Sequence, residues 1–191
     1  MAINIIESVQ QKLQVDELQK IDPDTGKAKN DDEYKTGVNF YQVAIPAVLT
    51  GLYRFTRTDE KNKDIFNVGT GKLLSLFFGE NSANVIAKIA EITHTAIVET
   101  RVKMEEIAAV GINVLKENLS DKTANSDVKD FLTSQRHNIL VYLDPQLQLG
   151  HLIEDDTVDD TTNKMEGPVS DFMHTVGQIF SSSGNDKKED L

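Results

Sequence analysis

Apolar residues recur at helical spacing along almost the entire chain, and this periodicity limits the fold more than any other feature. From Ile5 to Phe180 they return every three to four residues, which places them on one face of successive helices. No stretch of convincing length alternates apolar and polar residues as a half-buried strand would. The sequence therefore predicts an all-α fold, a single compact multi-helix domain with an acidic loop and a short C-terminal helix.

Helix boundaries can be predicted from capping residues and breakers. Asn4 and Glu7 have the spacing of a capping box, which predicts a helix on Ile5 to Leu13 with a looser continuation to Ile21. A later helix meets Pro46, which cannot donate a backbone hydrogen bond, so a kink or a fresh helix start is expected there. That helix should run to about Thr58.

The middle of the chain predicts three further helices. Gly79 should end a short apolar helix, and Asn81 or Ser82 should open the next one, with Val85, Ile86, Ile89 and Ile92 facing inwards. The strongest pattern begins at Thr95 and predicts the central helix of the fold. Its predicted inward stripe is Ile97, Arg101, Met104, Ile107, Ala108, Gly111, Val114 and Leu115.

The remaining chain predicts a helix that ends before Asp144-Pro145, a short helical turn in "PQLQLGHLI", and a last helix that starts at Pro168. The predicted organisation is one helical domain over residues 1–181. Residues 182–191 are predicted to form a charged, flexible tail.

Two stretches resemble a known family. "VAIPAVLTGLYRF" resembles its apolar, proline-containing helix, and the run from Gly71 to Leu115, with Phe78-Gly79 at the turn, resembles its short helix and paired helices. The family is the YidB-like bacterial proteins of unknown function. The resemblance covers about residues 3–119 and leaves 120–181 as a C-terminal extension. It implies a compact all-α fold and no reaction, and the chain departs from the pattern at Thr93 to Thr95 and at Ala108.

Composition excludes several classes of function. The 191 residues include no cysteine, so disulfides, zinc-thiolate sites and thiol nucleophiles are impossible. A formal charge of -11 repels nucleic acid and anionic lipid, and the sequence shows no segregated basic patch. The longest apolar run, Val43 to Tyr53, is far shorter than the ~20 residues that cross a bilayer. Neither a nucleic-acid partner nor a membrane span is expected, and the cytoplasm is the expected compartment.

Two patterns suggest metal ligands, although a structural interpretation suits both. In the acidic loop, Asp155, Asp159, Asn163 and Glu166 fall at positions one, five, nine and twelve of a calcium loop. Thr157 at position three and Asp160 at position six, where glycine is needed, speak against calcium. Glu91-x-x-His94 and Asp171-x-x-His174 have the spacing of di-iron ligands, but glutamates to complete such a site are not evident. Solvated connectors and surface histidines explain both patterns, and no cofactor is predicted.

No catalytic motif is complete. "GTGK" at Gly69 to Lys72 lacks the earlier glycine and the serine or threonine of a phosphate-binding loop, so it indicates a helix start. No serine stands in a nucleophile elbow near His137 or His151. The sequence predicts a non-enzymatic protein that acts as an interaction or assembly module through an unknown protein partner or self-association. A metal-binding helical protein is the alternative.

The sequence also predicts a structural role for Arg136 and leaves two alternatives for one aromatic segment. Arg136 stands in an apolar helix and should pair with the acidic loop, which would then clasp the last helix to the body. The segment "FYQVAIPAVLTGLYRF" is either core throughout or the one candidate surface. In the second case, the break at Pro46 would leave Tyr41 and Tyr53 near solvent.

Overall fold

The computed structural model describes residues 3–21, 39–58, 65–69, 71–119 and 125–153. Their helices are α1 (Ile5–Leu13), α2 (Phe40–Thr58), α3 (Leu73–Phe78), α4 (Ser82–Thr93), α5 (Ile97–Asn118), α6 (Asn125–Leu140) and α7 (Leu149–Leu152). Those ranges contain no β-strand, which confirms the all-α class. They all belong to one compact unit, Met1–Asp159. The acidic loop, the helix at Pro168 and the tail lie outside the described residues, so the predicted domain limits stay predictions.

Helix α1 begins where the sequence predicts. The Asn4 side-chain oxygen accepts a hydrogen bond from the Ile6 N–H at 3.1 Å, and the Asn4 side-chain amide donates to Glu7 at 2.9 Å. The cap therefore joins two side chains, instead of returning Glu7 to the backbone as a full capping box does. The helix ends at Gln14, which lies in the left-handed region with φ 54°.

The predicted continuation of α1 to Ile21 is wrong, because residues 15–21 are not helical. Glutamine side chains and one backbone contact hold this segment against the helices instead. Gln42 of α2 accepts from the Gln19 N–H at 2.7 Å and donates to the Gln19 carbonyl at 2.9 Å. The Ile21 N–H donates to the Val141 carbonyl at 2.8 Å. These bonds satisfy backbone groups that a helix would have paired internally.

Helix α2 is the central helix, a position that the sequence assigned to α5. It contacts α1, α3, α4, α5 and α6, and every residue from Gln42 to Tyr53 is buried. Pro46 lies inside the helix, which continues past it to Thr58. The Thr50 hydroxyl donates to the Pro46 carbonyl at 2.7 Å. Of the two outcomes predicted at Pro46, a fresh helix start is therefore excluded.

Helices α3 and α4 follow the predicted plan. Gly79 adopts φ 58°, a conformation that favours glycine, and a single 3-10 turn, Gly79–Asn81, leads directly into α4. Val85, Ile86 and Ile89 are buried as predicted, whereas Ile92 is half-buried. The Phe78 ring lies over Gly51 of α2, where a Cβ atom would stand 2.5 Å from two ring carbons. The two helices therefore approach closely at a residue without a side chain.

Helix α5 follows its predicted stripe only from its third turn. Met104, Ile107, Ala108, Gly111, Val114 and Leu115 are buried as predicted. Ile97 and Arg101, which the sequence assigned to the same stripe, are exposed, and Thr100 and Ile112 are buried instead. The first turns of α5 therefore project an apolar residue and a cation towards solvent.

Helix α6 ends at Leu140, a few residues before the predicted limit at Asp144. The Asp144 carboxylate accepts from the Gln146 N–H at 2.8 Å and opens the 3-10 turn Pro145–Leu147, which α7 follows. This confirms the predicted short helical turn. Arg136 is half-buried and His137 is exposed. The acidic partners proposed for Arg136 lie outside the described residues, so the clasp stays a prediction.

Candidate functional site

The aromatic segment on α2, the surface considered from the sequence, is core. Tyr53 is 6% exposed and Phe40 is 8% exposed. Tyr41 is half-buried, and its ring meets the Phe40 ring edge to face at 5.4 Å between centroids. The neighbouring helices enclose the region around Pro46. The core interpretation of this segment is therefore right, and the proposed surface there is wrong.

The exposed apolar surface of the described residues lies on α5 instead. Val98 is 76% exposed, Val102 is 62% exposed and Ile97 is 56% exposed. Ile3 is the remaining large apolar residue that is exposed within the described ranges, at 40%. Val98 and Val102 are one helical turn apart, on the face opposite the buried Met104 and Ile107. We call Ile97, Val98 and Val102 the α5 strip.

Sequence reasoning missed the strip because it used one inward stripe for the whole of α5. Val98 and Val102 fall outside that stripe, and Ala109, seven residues after Val102, falls on the same outer face. This spacing was visible in the sequence as a second, weaker apolar pattern. Isolated apolar residues are common on protein surfaces, so the pattern alone could not distinguish a binding surface from isolated exposed residues.

Charged residues border the strip on both sides. The Lys103 ammonium lies 2.7 Å from the Glu99 carboxylate, one helical turn away, and 5.1 Å from the centre of the Phe40 ring. The hydrogen bond that Lys103 donates to the Glu99 carboxylate is the main reason that the pKa of Lys103 is raised, and partial burial opposes it. Arg101 and Glu106 are exposed, and neither forms an ion pair with another described residue. They are the charges that a partner on the strip could meet.

Glu105 binds the start of α3. Its carboxylate accepts hydrogen bonds from the backbone N–H groups of Gly71, Leu73 and Leu74, each at 3.2 Å. Leu73 and Leu74 begin the first turn of α3, whose N–H groups have no internal acceptors and carry a partial positive charge, and Gly71 lies two residues before the helix. A carboxylate from α5 therefore takes the place that a phosphate would need in the "GTGK" segment, and α3 begins there as the sequence predicted.

The first carboxylate and histidine pair does not form a site by itself. Glu91 forms an exposed ion pair with Lys88 at 3.1 Å. His94 follows the last residue of α4, is exposed, and has φ 52°. The second pair, Asp171 and His174, lies outside the described residues, as do Asp155, Asp159, Asn163 and Glu166. Within the described ranges, no group of three or more histidine, cysteine, aspartate or glutamate residues could hold a metal ion.

Comparisons with known proteins add no relative: no family model, curated protein or solved structure matches the chain. None of the helices in the described part of the chain is long and apolar enough to cross a bilayer.

Proposed function

We propose that this protein is a non-enzymatic interaction module that binds another protein surface through the α5 strip. The observation that carries the proposal is the exposure of Val98 and Val102, 76% and 62%, on adjacent turns of one helix. The large apolar residues of the other described helices are buried or half-buried, so among the described helices this exposure is local to the first turns of α5.

The physical support is the free energy available on covering the strip. Fully burying an exposed valine side chain contributes about 1.5–3 kcal/mol. Two valines on one rigid helix keep their positions on binding, so little of this free energy is offset by a loss of conformational entropy. Arg101 and Glu106 supply a charged rim around the apolar centre, as protein interfaces usually have. A protein surface is thus a better match than a nucleic acid, which the net charge of -11 repels.

We also propose membership of the YidB-like family and a cytoplasmic location. The family proposal rests on the "VAIPAVLTGLYRF" and "GKLLSLFFGENSANVIAKI" segments. Their all-helical form in α2, α3 and α4 agrees with the fold that the family resemblance implies. The cytoplasmic proposal rests on the lack of cysteine in the sequence, which suits a reducing compartment.

The test is reconstituted binding with a matched control. A partner is first identified by cross-linking in cells that carry the gene, and it is then purified and titrated with this protein. The double variant Val98→Ser/Val102→Ser should bind at least tenfold more weakly, a loss of about 1.4 kcal/mol. The control, Ile3→Ser, replaces an exposed apolar residue away from α5 and should bind within about twofold of the wild type.

The double variant should keep the urea midpoint of the wild type, since it changes exposed residues. A purified partner that binds the double variant with wild-type affinity would contradict the proposed surface.

A further inference from the structure

We propose that the occupant of the α5 strip is a second copy of this chain, with the two α5 helices parallel and in register across a twofold axis. The inference rests on the proposed function, because it names the partner of the same surface. It is carried by the spacing of the apolar residues on the outer face of α5 and by the position of the charges beside them.

The apolar spacing is that of a short two-stranded coiled coil. Three apolar residues and one glutamate, Val98, Val102, Glu105 and Ala109, are separated by four, three and four residues, the sequence of alternating d and a positions in a heptad. β-branched valine at the a position Val102 favours a two-stranded parallel pair. Ala109, half-buried, extends the same face by two turns. A seam of this kind packs against a second helix with the same spacing, which a second copy supplies.

Glu105 occupies a d position and is compatible with the seam. Its carboxylate is held by the N–H groups of Gly71, Leu73 and Leu74 at the start of α3. The side chain is half-buried, and its charge is directed at its own fold. Pairing of two copies therefore does not bring two free Glu105 carboxylates together.

The flanking charges select the parallel orientation. Arg101 falls at a g position and Glu106 at the following e position, five residues later and on the opposite side of Val102. In a parallel pair, the g residue of one copy faces the e residue of the next heptad in the other copy. The twofold axis then gives two Arg101–Glu106 pairs between residues that form no ion pair within the described part of one copy.

An antiparallel pair brings the same side of each helix together. Glu99 and Glu106 are seven residues apart and share one side of α5, so glutamates of the two copies would meet there, and only the Glu99 charge is offset by an ion pair, with Lys103. Like charges in contact oppose that arrangement. The parallel pair is therefore the self-association that the charge pattern favours.

The proposed dimer should be weak, because its interface is small and both copies are negatively charged. A seam of about three helical turns covers less surface than the ~800 Å² per partner of a standard stable interface. Two chains of formal charge -11 also repel each other at long range. Dimers should therefore form at high protein concentration and exchange rapidly.

Cysteine cross-linking tests the arrangement directly, because the wild type has no cysteine to interfere. In a parallel, in-register pair, each seam residue faces its own copy, so both Val98→Cys and Val102→Cys should give a disulfide-linked dimer on oxidation with diamide. In an antiparallel pair, only a residue near the twofold axis could do so. The control, Ile3→Cys, is exposed but lies away from α5 and should stay monomeric.

A charge exchange tests the Arg101–Glu106 pairs by sedimentation equilibrium. Arg101→Glu and Glu106→Arg should each weaken the dimer at least threefold, and the variant with both changes should return to within about twofold of the wild type. Failure of the double variant to recover would overturn the parallel pairing. So would cross-linking of Val98→Cys and Val102→Cys no faster than that of Ile3→Cys.

The outcomes separate the two proposals. If the wild type is monomeric and the variant Val98→Ser/Val102→Ser no longer binds the purified partner, the second copy is refuted and the interaction surface is retained. If the wild type is monomeric and the partner binds that variant with wild-type affinity, both the second copy and the interaction surface are refuted.

Discussion

Replacing Gly51 with alanine tests how closely α2 and α3 pack. Gly51 lies in the buried middle of α2, and an added Cβ atom would stand 2.5 Å from the Phe78 Cε1 and Cζ atoms. Non-bonded carbon atoms prefer about 3.5–4.0 Å. The Phe78 ring, 1% exposed, is enclosed by the core, so it must displace neighbours in order to move. We expect the substitution to destabilise the fold.

Two opposing effects set the magnitude. Alanine gains about 1 kcal/mol over glycine in a helix interior. Overpacking a well-packed core costs about 1–3 kcal/mol, and more where a buried ring has no room. Because the Phe78 ring is enclosed, the packing cost at Gly51 should lie at the upper end, about 2–3 kcal/mol, so the net expectation for Gly51→Ala is a loss of about 1–2 kcal/mol in the free energy of unfolding.

Gly111→Ala is the matched control. This glycine is also helical and buried, but its added Cβ would lie 3.2 Å from the Leu49 Cδ2 atom, the end of a flexible side chain. The same gain in helix propensity is then offset by a smaller packing cost, so the stability of Gly111→Ala should stay within about 1 kcal/mol of the wild type.

Urea unfolding followed by circular dichroism measures both variants. Phe78→Leu should recover part of the loss when it is combined with Gly51→Ala, because the shortened side chain vacates the position of the ring end. Equal stability of Gly51→Ala and Gly111→Ala, or no coupling between Gly51→Ala and Phe78→Leu, would refute the close approach of the two helices.

Four further predictions use the same assay or a thermal melt. Glu105→Gln should lower stability by about 1–2 kcal/mol, because one acceptor at the start of α3 becomes a donor, and an unchanged urea midpoint would contradict this cap. Thr100→Val should raise stability by about 1 kcal/mol, since the Thr100 hydroxyl is buried and has no hydrogen-bond partner among the described residues, and a loss would show that the hydroxyl is paired. His94→Gly should be stabilising by up to about 1 kcal/mol at the left-handed residue after α4, whereas His94→Ala should not. Millimolar calcium should leave the melting temperature unchanged, and a saturable rise that chelator reverses and Glu166→Gln abolishes would show that Asp155, Asp159, Asn163 and Glu166 bind the ion.

The sequence predicted helices well where local signals determine them. Asn4 caps α1, and Gly79 separates α3 from α4, because a side-chain acceptor and a glycine with positive φ act within a few residues. These effects need no knowledge of the rest of the fold. The boundaries at those two points therefore follow from the sequence alone.

Errors occurred where tertiary contacts compete with local preference. Residues 15–21 carry apolar residues at loose helical spacing, yet Gln42 and Val141 bind their backbone from other helices. At Pro46, where the sequence left a kink or a fresh helix start open, α2 continues without a new start, because burial by five neighbouring helices stabilises a helix that has lost one hydrogen bond. Neither outcome could be predicted without knowing which helices meet.

The candidate surface was the least predictable part. The inward stripe on α5 is correct from Met104 onwards, but Ile97, the first residue of the helix, is exposed although Thr100 in the same turn is buried. Whether an apolar side chain on a helix is covered depends on the length and position of the adjacent helices. Periodicity gives the face of a residue and does not give the partner that covers it.

Chemical shifts recorded over a series of protein concentrations test the central claim most directly. Backbone amide spectra report on each residue separately, so they locate the surface that associates without any substitution. We expect concentration-dependent shifts that cluster on the outer face of α5 around Val98, Val102 and Ala109. Shifts that cluster on another helix, or spectra that do not change up to millimolar protein, would contradict self-association through the α5 strip.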